Sequence, residues 1–171
     1  MAGKPLFLVG CGSDDHKIIK NRNNASDKPR PLVLAGNVVS EEHSPVAHSD
    51  GDAVYHAIIN ALLIAIGERD IGYYFPDTDP KYEGISSEKM LKQVMAFIEK
   101  RGYAVNNVTV MITAKEPKIG PHVEKMKRSI SEALGIDESY VGVGATRGEG
   151  SGNDGAAGIH VVAMVSLKSF D

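Results

Sequence analysis

The chain has 171 residues, enough to bury a sizeable core, and its 42% hydrophobic and 24% charged content excludes a disordered or fibrous protein. A formal net charge of -3 argues against a nucleic-acid partner held by a dominant basic surface. No apolar run approaches the roughly 20 residues that span a bilayer, and the one cysteine, Cys11, excludes an intramolecular disulfide and a Cys-rich zinc site.

Residues 1–171 read as a single domain. Met1 to Pro5 lacks the hydrophobic core of a secretory signal, so the chain reads as intracellular or already processed. Pro5 to Gly10 is a short apolar run with the character of a buried strand, and it ends in Gly10-Cys11-Gly12-Ser13-Asp14-Asp15-His16. If the strand runs that far, Asp14 and His16 point to one side. Residues 17–31 are polar, with several asparagines and two prolines, and read as a mobile surface loop. Leu32 to Val39 reads as a second strand.

Ala47-His48-Ser49-Asp50-Gly51-Asp52 begins as a turn and becomes a helix whose first turn is acidic at Asp52. Asp52 and His56, four apart, share a helical face, while Val54, Ile58, Leu62 and Ala65 form an apolar row on another. The helix is expected to pack by one side, present the imidazole from the other, and stop near Gly67. A single helical His is more often a satisfied core or surface residue than a ligand. Beside an Asp-x-His strand it completes three ligands that suit zinc and leave a fourth position open. Spacing alone does not bring strand and helix together.

Residues 68–80 are rich in turns, acids and aromatics. They read equally as a loop pinned by Phe75 and the tyrosines or as a recognition loop whose carboxylates take ribose hydroxyls. Ser86 or Ser87 can cap a helix with Met90, Leu91, Val94, Phe97 and Ile98 at helical spacing, closed by Gly102. Ala104 to Ala114 favours a strand, and Lys115 to Pro121 breaks it before a helix that buries Met126, Ile130 and Leu134 and closes at Gly135. Lys118, just before that helix, is a candidate anion contact. Residues 139–146 and 159–167 look like the last strands. The glycine-rich stretch between them can cradle phosphates or simply join a hairpin. The order β-β-α-α-β-α-β-β points to a two-layer α+β sandwich.

The motif series Gly10-x-Gly12-x-Asp14-x-His16, Ala47 to Asp52 with His56, Asp70-Ile71-Gly72 and Phe75-Pro76-Asp77-Thr78-Asp79 spans nearly the whole chain. With Ala114, Pro117-Lys118 and Pro121-His122, it resembles the 2-C-methyl-D-erythritol 2,4-cyclodiphosphate synthases of the non-mevalonate isoprenoid route. The resemblance implies a homotrimer of ferredoxin-like subunits, with a mixed sheet covered by helices on one face and active sites at subunit boundaries. It implies that a substrate 2-phosphate attacks the β-phosphorus of the substrate's own cytidine diphosphate arm, releasing CMP. By position Asp14, His16 and His56 hold Zn2+, and Glu149 helps to hold Mg2+ or Mn2+. His48 stabilises the transition state and lies with Ser49 along the phosphates. Asp14, Asp15, His16, Asp70, Ile71, Gly72, Phe75, Pro76, Asp77, Thr78 and Asp79 contact the substrate. So do Ala114, Lys115, Glu116, Pro117, Lys118, Ile119 and Gly120 around the cytosine, and Thr146, Arg147, Gly148 and Glu149. The implied location is the bacterial cytoplasm, or a plastid after processing.

The chain departs from that family in several places. Arg147 stands where the second threonine of a Thr-Thr-x-Glu run is usual, and a guanidinium there can grip phosphate oxygens or project elsewhere. The glycine-rich stretch is one residue shorter and lacks the arginine of the trimer cavity, with Gly155 or Ala156 near that place. The aromatic usual after the Glu is absent, Ser13 replaces an aromatic, and the 17–31 loop is longer. Two other readings stand beside the synthase: a zinc phosphohydrolase of a cytidine diphosphate compound, and a non-catalytic metal- or nucleotide-binding relative.

Overall fold

A computed structural model of the chain describes residues 3–20, 30–82, 84–148 and 158–170. In chain order these form β1 (Phe7–Lys20), β2 (Leu32–Leu34), β3 (Asn37–Ser40), β4 (His43–Pro45), α1 (Ala53–Ala65), α2 (Ile71–Tyr74) and α3 (Ser87–Lys100). There follow β5 (Tyr103–Ala114), α4 (Val123–Leu134), β6 (Val141–Thr146) and β7 (Gly158–Ser169). Five strands make one mixed sheet in the order β4-β1-β7-β5-β6, parallel only between β5 and β6, while β2 and β3 pair by themselves.

Alternation along the strands separates the two faces of the sheet. Val108, Val110 and Ile112 of β5 and Ile159, Val161, Ala163, Val165 and Leu167 of β7 are buried, beneath α1, α3 and α4. The opposite face carries Phe7 (62% exposed), Val9 (65%), Met111 (51%) and Met164 (50%). The two-layer α+β arrangement with helices on one face is therefore as the sequence suggests. A ferredoxin-like chain runs β-α-β-β-α-β. Here α4 instead joins the parallel neighbours β5 and β6, and both late strands follow it, so the connectivity is not ferredoxin-like.

Several elements differ from the sequence reading. The first strand is 14 residues long, and its leading apolar residues Phe7 and Val9 lie on the uncovered face; Lys17–Lys20 continues it and pairs with the unanticipated β4. Residues 21–29 of the expected surface loop lie outside the described residues. Leu32 to Val39 is a hairpin rather than one strand, because Ala35 (φ 49°) and Gly36 (φ 72°) both take the left-handed conformation of a tight two-residue turn. Helix α2 interrupts what reads as a plain loop.

Asp52 explains the hairpin. It is the N-cap of α1, not a first-turn acid sharing a face with His56, and it is fully buried. Its carboxylate accepts from the Val54 and Tyr55 amides (3.1 Å each) and from those of Ala35 (2.9 Å) and Gly36 (2.7 Å). One side chain thus starts α1 and clamps the strained turn beside it. Burial pushes this carboxyl up to about 6, against the pull of the backbone donors. Helix α1 itself does not pack by one side. Eleven of its residues are buried, because β1 and β7 lie on one flank and α3 and the hairpin on others.

Candidate metal centre

Gly10, Gly12, Asp14, His16 and Ile18 alternate along β1, so all five face the helix layer. At the first two, α1 lies directly on the strand: a Cβ on Gly12 would stand 2.5 Å from the Ala57 carbonyl oxygen, and one on Gly10 would stand 2.8 Å from the Ala65 Cβ. That close approach, made between glycines and alanines, draws the N-terminal half of α1 against the next two positions of the row. His56 is thereby set beside Asp14 and His16.

The three side chains converge. Asp14 Oδ2 lies 3.3 Å from His16 Nδ1 and 3.3 Å from His56 Nδ1, and the two imidazoles meet edge to face at 5.5 Å between centroids. One ligand atom from each falls within a 4.8 Å cluster. His16 Nδ1 is 2.8 Å from the Asp15 carbonyl oxygen, which takes its proton and leaves Nε2 with a lone pair. His16 Nε2 and Asp14 Oδ2 are both buried without a hydrogen-bond partner. Two orphaned acceptors facing one point, with a third nitrogen beside them, are what a cation would satisfy. A donor set of two nitrogens and one carboxylate oxygen fits a divalent metal such as zinc. Asp14, His16 and His56 could therefore hold a metal ion.

Other expected residues gather nearby through the sheet register. Ile159 of β7 pairs with His16 on one side and Ala114 on the other, and Thr113 pairs with Thr146 of β6. The metal trio, the segment from Ala114 to Gly120 and the segment from Thr146 to Gly148 thus lie along one end of the sheet. Ala114 and Ile119 are buried, whereas Lys115, Glu116, Lys118, Gly120, Thr146 and Arg147 are exposed. The Glu116–Pro117 peptide is cis. His48 is exposed, on the turn whose Ala47 and Ser49 carbonyls take hydrogen bonds from Arg30 (2.6 and 2.7 Å). Ser49 Oγ is 3.3 Å from His56 Nε2.

Some residues are placed otherwise than expected. Asp15 points to the uncovered face, away from the trio, and pairs with His160 Nδ1 at 2.7 Å. The pinned-loop reading of residues 68–80 holds in part: Asp70 caps α2 through the Tyr73 amide (3.0 Å), and Phe75 is buried against Tyr82. Ile71 is half-buried, Gly72, Asp77 and Thr78 are exposed, and Asp79 accepts from the Lys81 amide at 3.0 Å. Glu149, Gly155 and Ala156 lie outside the described residues.

Sequence reasoning missed the residues that hold the site from behind. Asn60, one turn after His56, accepts from the Ile71 amide (2.8 Å) and donates to the Ser13 carbonyl (3.1 Å), linking the metal strand to the Asp70–Gly72 turn. Its i+4 spacing from His56 was the available signal. Ser87 reaches back to His56 across 31 residues of chain and to Asp50 across 37, which no local pattern foretells.

Comparison with known proteins finds relatives over nearly the whole chain. The YgbB family model matches residues 7–168. A 2-C-methyl-D-erythritol 2,4-cyclodiphosphate synthase from Desulfitobacterium hafniense is 41% identical over 163 residues, covering 95% of this chain and 98% of that one. A solved 2C-methyl-D-erythritol-2,4-cyclodiphosphate synthase in a CDP-bound form superposes with a TM-score of 0.82 at 34% identity, over 94% of this chain and 99% of the other. IspF of Plasmodium falciparum in a CDP complex gives a TM-score of 0.79 at 31% identity, over 96% and 97% of the two chains. With the fold, the motif series and these relatives in agreement, the chain belongs to the YgbB family.

Proposed function

We propose that the chain converts 4-diphosphocytidyl-2-C-methyl-D-erythritol 2-phosphate to the cyclic 2,4-diphosphate with release of CMP, in non-mevalonate isoprenoid biosynthesis. The observation that carries this reading is the trio of Asp14, His16 and His56 with its two orphaned acceptors, set at the sheet end where Ala114–Gly120 and Thr146–Gly148 emerge. Relatives bearing the synthase name over nearly the full chain, two of them solved with CDP, supply the substrate class.

The chemistry asks little covalent work of the protein. An oxygen of the 2-phosphate forms a bond to the β-phosphorus, the bond from that phosphorus to the bridging oxygen breaks, and its electron pair leaves with CMP. This makes the chain a cyclising phosphorus–oxygen lyase that needs no protein nucleophile. Asp14, His16 and His56 would hold Zn2+, and Glu149 would help to hold Mg2+ or Mn2+. When bound, these ions supply Lewis-acid polarisation of the phosphoryl group and charge neutralisation on the departing CMP. His48, exposed on its Arg30-braced turn, would donate to the phosphoryl oxygens as charge builds, with Ser49 next to it in the chain and Arg147 as a further donor. Asp70, Gly72 and Asp77–Asp79 would bind the sugar and erythritol parts. Lys115, Lys118 and the backbone to Gly120 would receive the cytosine and its phosphate.

A homotrimer fits the uncovered sheet face, where Phe7, Val9, Met111 and Met164 await cover. Two grooves of about 330 and 350 Å³ lie elsewhere, one beside Met95, Tyr103 and Phe170 and one beside Tyr74 and Phe97. Neither groove is lined by the trio, and a substrate cleft completed by a neighbouring subunit would fit a site at the trio. No described helix is long and apolar enough to cross a membrane, and a cytoplasmic location goes with the bacterial relatives.

The test is the mass of the product made by purified protein from the diphosphocytidyl-methylerythritol phosphate and Mg2+. The cyclic diphosphate plus CMP is expected. A product heavier by one water would favour the phosphohydrolase, and bound but unconverted substrate would favour a non-catalytic relative.

A further inference from the structure

We propose that Ser87 and Asp50 are positioning residues that fix the ring orientation and tautomer of His56, so that its Nδ1 lone pair faces Asp14 and His16. The inference rests on the metal reading of that trio and extends it to residues at the start of α3.

His56 Nε2 lies 2.8 Å from Ser87 Oγ, and both residues are buried. Ser87 Oγ in turn donates to Asp50 Oδ1, and the Ser87 amide donates to Asp50 Oδ2 at 2.9 Å. The direction of this chain follows from donor counting. A carboxylate only accepts, so the single hydroxyl proton of Ser87 goes to Asp50. Ser87 Oγ then has only lone pairs to offer the imidazole, and Nε2 must carry the proton. The other nitrogen, Nδ1, is left bare, 3.3 Å from Asp14 Oδ2. Ser49 Oγ, at 3.3 Å from Nε2, offers a second acceptor on the same side of the ring. Metal-bound histidines usually give their other N–H to a carboxylate or carbonyl. Here a hydroxyl is interposed between the two.

Asp50 is itself held. Its Oδ1 also accepts from the Asp52 amide at 3.2 Å, which ties it to the start of α1. Ser86, at the N-cap position of α3, makes no side-chain cap bond, and Asp50 takes the first helical amide in its place. Helices α1 and α3 are thus joined at their N-termini through the carboxylate that orients the ligand.

Three measurements on the full chain test this. Histidine 15N spectra of the zinc-free protein should show His56 protonated at Nε2, and Ser87→Ala should mix the tautomers. Zinc dissociation constants, from competition with a chromophoric chelator, should weaken by about 10- to 100-fold in Ser87→Ala. The control Ser86→Ala should leave them unchanged. The thermal unfolding midpoint of the zinc-free Ser87→Ala protein should fall only by the few degrees that a lost buried hydroxyl costs, since the amide bond to Asp50 survives. Should that variant fail to fold, Asp50→Asn interrupts the same chain and should also weaken zinc. A folded Ser87→Ala or Asp50→Asn with wild-type zinc affinity and an unaltered His56 tautomer overturns the proposal. Wild-type protein that takes up no zinc would instead overturn the metal reading on which it stands.

Discussion

Gly12 of β1 and Ala57 of α1 touch so closely that no side chain fits between them: a Cβ on Gly12 would lie 2.5 Å from the Ala57 carbonyl oxygen. Both positions are buried, and the metal candidates stand close by: Asp14 two residues beyond Gly12, and His56 one residue before Ala57. Strand–helix spacing and ligand spacing are therefore one quantity. Gly12→Ala should lower stability by about 1–3 kcal/mol through overpacking and weaken zinc binding in the same variant. Gly3→Ala, with nothing within 4 Å, should do neither. Chemical denaturation and chelator competition on the two variants provide the check; zinc affinity unchanged in a destabilised Gly12→Ala would uncouple the two.

His56→Ala removes the helical ligand and leaves two groups too few to hold zinc tightly. The expected result is less than one zinc per several chains by metal analysis and loss of turnover, with the mass in solution the same as wild type. Prolonged chelation of wild-type protein should reproduce the loss, and added Zn2+ should restore activity to wild type alone. Undiminished turnover in His56→Ala would remove it from the site.

Asp52→Ala strips the acceptor from four backbone amides, at Ala35, Gly36, Val54 and Tyr55. Unpaired buried donors cost about 1–3 kcal/mol each, so a loss of several kcal/mol is expected. Its pH dependence has a definite sign. The folded carboxyl keeps its proton up to about 6, whereas the free group releases it near 3.8. This group's contribution is fully present below pH 3.8 and falls as pH rises through 6, by roughly 3 kcal/mol at about 1.4 kcal/mol per unit. Urea unfolding at pH 4 and pH 7 should therefore show wild type leading the variant by more at pH 4. A lead that grows towards pH 7 would show that the four amide donors outweigh burial.

The division between what was legible in the sequence and what was not follows the range of the interactions. Asp14-x-His16 could be read because a strand alternates, and α3, β5 and α4 could be read from period and caps such as Gly102 and Gly135. The hairpin at Ala35-Gly36 was hidden because alanine rarely takes positive φ, and its stabiliser, Asp52, lies 17 residues on. Asp52 also misled in the other direction, since an acid early in a helix looks the same as a cap. Phe7 and Val9 look like core by hydropathy, and only the layout of the sheet shows that helices cover the other face. The support of His56 by Ser87 was out of reach, because it depends on where α3 docks.

Arg147, where the resemblance leads one to expect threonine, lies at the exposed end of β6, one residue after Thr146, which pairs with Thr113. A long guanidinium can serve the phosphates only by losing side-chain freedom, about 2 kcal/mol for arginine. Arg147→Thr restores the usual residue and should retain or raise kcat in the CMP-release assay. A severe loss would assign Arg147 a direct part in phosphate binding, and the effect should then appear in KM as well.

Met111 and Met164 sit on neighbouring strands of the uncovered face: Met164 pairs with Thr109, two residues from Met111, and both methionines are about half exposed. With Phe7 and Val9 they make an apolar surface that a soluble monomer rarely leaves open. In a trimer closed on this face, a charge there would be buried without a partner at several kcal/mol per copy. Met164→Asp should therefore shift the mass measured by light scattering from three chains to one. The side chain points away from the helix layer, so circular dichroism should be preserved. The isolated subunit should keep its zinc, because Asp14, His16 and His56 all come from one chain. It should nonetheless lose turnover if the substrate cleft lies between subunits. Wild-type protein running as a monomer, or Met164→Asp remaining a trimer, would place the subunit contact elsewhere.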